Sequence, residues 1–174
     1  MPERYLLRGA RVVDPASGRD AVVDVAIADG VVAAVGKGAS GGTTIDAGGL
    51  VLAPGLVDLH THLREPGFEH KETIETGTRA AALGGFTAVA PMANTDPVAD
   101  AAAVVHEVRA RAAVHGLCDV FPVGAVTRGL AGEEMAELGE LYEAGVRVFS
   151  DDGRVVPSAR VLRNALTYLR AFPG

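Results

Sequence analysis

The chain has few of the features that mark membrane, secreted or nucleic-acid-binding proteins. Its 174 residues include one cysteine, Cys118, so no intrachain disulfide can form. No apolar run reaches the ~18 residues that a membrane helix needs, and the N-terminus lacks the basic start and apolar centre of a signal peptide. The net charge of −6 argues against the basic face that nucleic acid or an anionic membrane requires. We therefore expect a cytoplasmic protein without nucleic-acid or membrane partners.

Lysine is also scarce, and two common catalytic motifs are absent from the sequence. Lys37 and Lys71 are the only lysines, and neither a G-x-S-x-G elbow nor an H-E-x-x-H motif occurs. The stretch Gly36–Gly41 matches G-x-G-x-x-G, but it opens no predicted helix and so does not indicate nucleotide binding. The remaining composition, 48% hydrophobic and 22% charged, is typical of a globular domain.

The order of elements changes near Leu50. The first 50 residues predict short strands joined by tight turns such as Asp29-Gly30. Further along, apolar strands alternate with helices, which predicts a parallel sheet covered by helices. The predicted strands are Leu50–Leu59, Phe86–Pro91, Leu117–Val123 and Val146–Phe149, and the predicted helices are Thr73–Leu83, Pro97–His115, Gly132–Ala144 and Pro157–Phe172.

Polar clusters decide between a doubly wound sheet and a barrel. HTHLR, MANTD and SDDG each follow a predicted strand, and catalytic groups of a (β/α)₈ TIM barrel collect at that rim. A complete barrel takes about 250 residues. The sequence therefore predicts an α/β fold in which residues 1–50 form the N-terminal part of a small β-sandwich. Residues 51–174 would form about four βα units, the first half of a barrel, and we expect the chain to be the N-terminal portion of a longer protein.

Two histidines end the first barrel strand. Because strand side chains alternate between faces, His60 and His62 point the same way, about 6.6–7 Å apart along the strand. Two such imidazoles can converge on one divalent metal, with Asp58 on their face as a group that orients them. The alternative is that the histidines merely end a strand. A buried parallel strand gives a neutral histidine pair no packing advantage over valine or leucine, so we favour metal binding.

Two adjacent acids and two other polar residues occupy the same rim. Asp151 and Asp152 are costly side by side unless a positive group lies near, although Asp-Asp-Gly also suits a solvated turn. Arg64 can grip a substrate carboxylate with two parallel hydrogen bonds. Asn94 offers donors and an acceptor to a polar substrate, or starts a turn. Asp96 before a proline fits a helix N-cap.

These motifs resemble the amidohydrolase superfamily, and within it the longer, bacterial class I dihydroorotases. Asp-x-His-x-His alone marks the superfamily. The run HLREPG, HKETIETG, GGFT, MANT and FSDDG is much more specific and spans residues 62–153 of the chain. Thr61 between the histidines departs from the apolar residue more usual in dihydroorotases and is also similar to hydantoinases.

The resemblance implies a site and a reaction. His60, His62 and Asp151 look like ligands of one or two Zn²⁺ ions, with Asp151 bridging, and His62, Arg64 and Asn94 look like substrate-binding residues. The reaction would be reversible cyclisation of N-carbamoyl-L-aspartate to L-dihydroorotate in pyrimidine biosynthesis. Zinc lowers the pKa of water that it binds to about 7, as such chemistry needs. Further histidine ligands and an aspartate general acid/base are expected beyond Gly174, so residues 1–174 alone are predicted to be inactive.

Three other interpretations remain open. The first is another cyclic amidase, a hydantoinase or allantoinase, but these bridge their metals with a carbamylated lysine and Ala144–Gly153 contains none. The second is a non-catalytic dihydroorotase homologue that scaffolds aspartate transcarbamoylase. The third is a half-barrel that dimerises, because four units alone leave sheet edges unpaired. For the full protein we expect a homo-oligomer, with aspartate transcarbamoylase as a candidate partner.

Overall fold

A computed structural model describes residues 4–173 and divides the chain into two compact units between Pro54 and Gly55. The change of pattern near Leu50 predicts this boundary four residues earlier, after residue 50. Within residues 4–173, no helix combines the length and the apolar character that crossing a membrane would take.

The first unit is one mixed sheet of five strands. Its order is β3-β2-β1-β4, and the short β5 also pairs with β1. Neighbouring strands among β1, β2 and β3 run antiparallel, whereas β4 and β5 run parallel to β1. A small apolar core of Ala10, Val12, Val25 and Ala47 lies on this sheet. The strands are β1 (Arg4–Asp14), β2 (Arg19–Ala28), β3 (Val31–Val35), β4 (Thr43–Asp46) and β5 (Val51–Leu52).

The second unit alternates strands with helices. Strands β6, β7 and β8 form a parallel sheet in that order, and a parallel bridge between Gly124 and Phe149 marks a fourth position. This architecture confirms the predicted α/β fold with a partial barrel. The elements are β6 (Leu56–Thr61), α1 (Ile74–Leu83), β7 (Phe86–Pro91), α2 (Ala102–His115), β8 (Asp119–Val120), a 3₁₀ turn (Arg128–Leu130), α3 (Leu138–Glu143) and α4 (Ala159–Leu169).

Helix α1 begins and ends at residues that the sequence marks. The Thr73 hydroxyl accepts a hydrogen bond from Thr76 N, and Thr73 N donates to the Thr76 hydroxyl, which forms a capping box. The helix gives way to Gly84 and then Gly85, whose φ of +85° suits glycine. Ile74 is fully buried with Leu63, Val89 and Val108, so the helix packs onto β7 and α2.

The start of α2 was predicted incorrectly. The helix begins at Ala102 rather than Pro97, and its N-cap is Ala101, so Asp96 does not cap it. Residues 97–101 instead bind a neighbouring loop: Ala99 O accepts from Ala125 N at 2.9 Å, and Asp100 Oδ2 accepts from Gly129 N at 2.8 Å. The backbone N–H groups of Ala99 and Asp100 donate to Ala93 O at 3.0 Å and Val98 O at 2.8 Å, so they do not take part in a helical ladder.

The helix of the third βα unit and the strand of the fourth are more irregular than the sequence predicts. The predicted helix Gly132–Ala144 is shortened to α3, because Ala136 N donates to Val126 O at 2.9 Å and holds the preceding residues as loop. The predicted strand Val146–Phe149 is reduced to the bridge, in which Ser150 N donates to Gly124 O at 2.9 Å. That hydrogen bond brings Asp151 and Asp152 to the rim.

Candidate metal centre

His60 and His62 come together at the end of β6. His60 is the second-last residue of the strand, and His62 follows it directly after the last residue. Their ring centroids lie 5.5 Å apart with the ring planes at 68°. The His60 side chain is 60% exposed. The alternation of strand side chains therefore places both imidazoles at one rim, as the sequence predicts.

Asp152 joins the two histidines. Its Oδ1 lies 2.9 Å from His60 Nε2, and one ligand atom from each of His60, His62 and Asp152 falls within 4.8 Å of the other two. Imidazole nitrogen and carboxylate oxygen are both ligands that Zn²⁺ accepts at about 2.0–2.2 Å. The three side chains therefore fit one divalent metal, with a negative charge to balance part of the ion's charge.

Asn94 links two of these side chains. It follows β7, and its Oδ1 lies 3.0 Å from His62 Nδ1 while its Nδ2 donates to Asp152 Oδ2 at 2.6 Å. With the Asn94 oxygen as acceptor, Nδ1 is the protonated ring nitrogen of His62, and Nε2 keeps its lone pair for a metal. Asn94 therefore orients two of the three groups. This role depends on residues 32 and 58 positions away in the chain, so local sequence patterns do not predict it.

The structure does not bring Asp151 into this cluster. The Asp151 carboxylate is 4% exposed, and its Oδ1 accepts from Val126 N at 2.8 Å and from Thr127 N at 3.0 Å. Its Oδ2 accepts from the Thr127 hydroxyl. The expectation that Asp151 faces the metal is corrected: both of its oxygens are engaged away from the histidines, and Asp152 takes the place at the rim.

Backbone geometry explains why the two neighbouring acids diverge. Asp152 has a φ of +56°, the left-handed conformation that Asp tolerates better than most residues. Its N–H donates to Ser150 Oγ at 3.0 Å, which fixes the turn. Asp151 is thus directed to the backbone after Gly124 and Asp152 to the histidines. The sequence pattern Asp-Asp-Gly predicts a turn here but does not tell the two carboxylates apart.

The other predicted residues lie in the loop that follows β6. Asp58 accepts from the backbone N–H of His60 at 3.1 Å, and within residues 4–173 it forms no hydrogen bond to an imidazole. Arg64 has a φ of +59°, and its carbonyl accepts from Phe68 N at 2.9 Å. The guanidinium of Arg64 forms no hydrogen bond or ion pair with the described part of the chain. Its side chain remains half-buried.

Gly67 allows this loop to approach the loop that carries Asn94. Its φ is +96°, and a Cβ there would lie 2.2 Å from Asp96 O. Between the same loops, Asp96 N donates to Pro66 O at 3.0 Å. Within the loop after β6, Gly67 N donates to the Glu69 carboxylate at 3.0 Å. This hydrogen bond, and to a smaller extent the backbone N–H of Glu69, lowers the pKa of Glu69. The loops after β6 and β7 are therefore in direct contact.

Replacing Gly67 with alanine is expected to destabilise the protein by about 2–4 kcal/mol, because the methyl group collides with backbone and the conformation is left-handed. Gly85→Ala is the matched control: its φ of +85° is similar, but nothing lies within 4 Å of an added Cβ. It should cost only about 1–2 kcal/mol. Thermal unfolding of both variants tests this, and equal costs would contradict the proposed close approach.

Comparisons with known proteins identify the family of the chain. A family model described as Dihydro-orotase-like matches residues 49–172. The dihydroorotase of Geobacter sulfurreducens is 50% identical over 170 residues, which cover 96% of this chain and 40% of that protein. The dihydroorotase of Anaeromyxobacter sp. strain K is 53% identical over 175 residues, 99% of this chain and 40% of its own length.

A solved structure gives the same result for the fold. L-hydantoinase from Arthrobacter aurescens superimposes with a TM-score of 0.81 at 25% sequence identity, covering 98% of this chain and 39% of that one. The chain thus spans about 40% of the length of the dihydroorotases that it matches. These findings confirm the resemblance carried by the motifs, and the chain belongs to the Dihydro-orotase-like family.

Proposed function

We propose that the whole protein carrying this chain is a zinc-dependent dihydroorotase, which interconverts N-carbamoyl-L-aspartate and L-dihydroorotate. The observation that carries the proposal is the convergence of His60, His62 and Asp152 at one rim in a chain of this family. In this proposal residues 51–174 supply the first half of the barrel and part of its metal site. Later strands supply the remaining ligands and the aspartate that acts as general acid/base.

His60, His62 and Asp152 would hold the zinc, and Asn94 would keep His62 and Asp152 in place. A bound Zn²⁺ supplies Lewis-acid polarisation and makes water acidic enough to serve as a nucleophile near neutral pH. Arg64 would bind the substrate carboxylate through its fork of donors, since its guanidinium is not engaged within the described residues. The Asn94 amide, at the edge of the same site, would donate its second N–H to that carboxylate.

The hydantoinase alternative has one observation in its favour, the fold match to L-hydantoinase. The side chains argue against it. The enzymes of that type use a carbamylated lysine as the metal bridge, and the rim after the fourth strand position holds Asp152 with no lysine from Ala144 to Gly153. Arg64 and Asn94 further favour a substrate with a carboxylate over an uncharged hydantoin ring.

Assays of the full-length protein on three cyclic amides test the proposal. We expect kcat/KM for L-dihydroorotate to exceed that for hydantoin and allantoin by about 100-fold or more, because a site built for a carboxylate rejects analogues that lack it. Removing metal with a chelator should abolish turnover, and added Zn²⁺ should restore it. A preference for hydantoin or allantoin would contradict the proposal, and residues 1–174 alone should show no turnover.

The proposal extends to the cellular location and the oligomeric state of the whole protein. We place the whole protein in the cytoplasm as a homo-oligomer, and size-exclusion chromatography with light scattering of the full-length protein measures its subunit number. The scaffold alternative predicts a complex with aspartate transcarbamoylase and no turnover by the isolated protein. The presence of His60, His62 and Asp152 favours the active enzyme.

A further inference from the structure

Glu65, the residue after Arg64, is tied to two helices. Its side chain is only 14% exposed. Its Oε2 accepts from the backbone N–H of Ile74 at 2.7 Å, at the first residue of α1. Its Oε1 accepts from Arg111 Nη1 on α2. A carboxylate at a helix N-terminus satisfies a donor that has no partner within the helix and interacts favourably with the helix dipole. Both oxygens of Glu65 are therefore engaged.

Arg111 is itself held from several sides. Its Nη2 donates to Glu107 Oε1 at 2.6 Å, one turn earlier on α2, and Glu69 Oε1 lies 3.8 Å from its Nη1. The hydrogen bonds that Arg111 donates to Glu65 and, second, to Glu107 raise the pKa of Arg111. Three acids from two segments surround one guanidinium. The loop after β6 is thereby attached to α2 at a fixed distance.

These contacts constrain the position of Arg64. Its backbone follows the buried Leu63 and adopts a left-handed conformation, and the next side chain is clamped to α1 and α2. On its other side, Pro66 O accepts from Asp96 N, two residues from Asn94. The two residues that would bind the substrate carboxylate therefore sit on loops joined to each other and anchored through Glu65.

We propose that the Glu65–Arg111 pair is a positioning device that fixes Arg64 for recognition of the substrate carboxylate. This inference rests on the proposed dihydroorotase function. Among the described residues, Glu65 and Arg111 form no hydrogen bond or ion pair with His60, His62 or Asp152, so the proposal has them act through Arg64 and not on the metal. A purely structural role would affect stability and kcat together, whereas positioning of Arg64 acts on substrate binding.

The test compares four variants of the full-length protein. Glu65→Gln leaves one oxygen for two donors, Arg111→Gln removes the charge, and the double variant removes both. Glu75→Gln is the control, because Glu75 is 50% exposed and, within residues 4–173, its carboxylate pairs with Arg79 on the surface of α1. We expect Glu65→Gln and Arg111→Gln each to raise KM for L-dihydroorotate about 10-fold, since small misplacements of a binding group are costly. The value of kcat should change less than about threefold, and zinc content should stay unchanged.

The double variant and one conservative variant separate positioning from general damage. If the pair acts as one unit, the double variant should raise KM about as much as either single variant, not by their product. Arg111→Lys keeps the charge but loses the planar fork, so a smaller rise in KM is expected and the fold is retained. An unchanged KM in all variants, or a parallel loss of kcat, zinc and thermal stability, would overturn the positioning role.

Measurement of the unmodified protein distinguishes this inference from the function on which it rests. Failure of that protein to turn over L-dihydroorotate would refute both. Turnover by it together with an unchanged KM in Glu65→Gln would leave the proposed function intact and refute the positioning role alone.

Discussion

Asp152→Asn is expected to remove most bound zinc from the full-length protein and to lower kcat for L-dihydroorotate on the order of 1,000-fold or more. The amide removes the negative charge that the cluster offers to a divalent ion, while it keeps the shape of the side chain. Lewis-acid stabilisation by a metal is worth several kcal/mol, and each 1.36 kcal/mol corresponds to a factor of ten in rate. The Asp152 side chain is 15% exposed and its partners, His60 and Asn94, lie at the rim, so its replacement should leave the fold intact.

The measurements are zinc content by elemental analysis, kcat at saturating substrate, and thermal unfolding of the chelated protein. Asp151→Asn is the matched control, because it makes the same chemical change at the adjacent residue. It should retain zinc and most activity. Loss of zinc in Asp151→Asn with retention in Asp152→Asn would reverse the proposed assignment of the two acids.

Much of the rim could be read from the sequence because strand periodicity is local. The spacing of His60 and His62 fixes their common face once β6 is recognised, and Phe86–Pro91 is found as β7 with the predicted bounds. Thr73 and Gly84 mark the ends of α1 in the same way, through capping chemistry that involves a few neighbouring residues.

What the sequence could not provide depends on contacts between distant residues. The exchange of Asp151 for Asp152 follows from a left-handed turn and from N–H groups 24 and 25 residues away. The late start of α2 depends on backbone hydrogen bonds to another loop. Glu65 and Arg111 are separated by 46 residues, so their pairing has no local signature. Propensity and periodicity describe neighbours along the chain, and tertiary hydrogen bonds override them.

Asp151→Ala is expected to have the second-largest effect, this time on stability. The substitution leaves the N–H groups of Val126 and Thr127 without their buried acceptor, and the Thr127 hydroxyl loses its partner. Thr127 is fully buried, so water cannot replace the carboxylate without rearrangement. Hydrogen bonds to a charged group contribute about 1.5–3 kcal/mol each. Because the three are not additive, we expect a loss of about 3–5 kcal/mol.

Asp151→Asn should be much milder, at about 1–2 kcal/mol, because its oxygen can still accept from both backbone N–H groups. The Thr127 hydroxyl already accepts from Gly132 N at 2.9 Å, so the new amide group must share it. Chemical denaturation of the chelated full-length protein measures the series of unmodified protein, Asp151→Asn and Asp151→Ala. At position 151 we expect a graded loss of stability. At position 152 we expect a loss of zinc without a loss of stability. This pattern would show that Asp151 stabilises the loops at the rim and that Asp152 binds the metal. Equal stability of all three proteins would contradict the buried anchor.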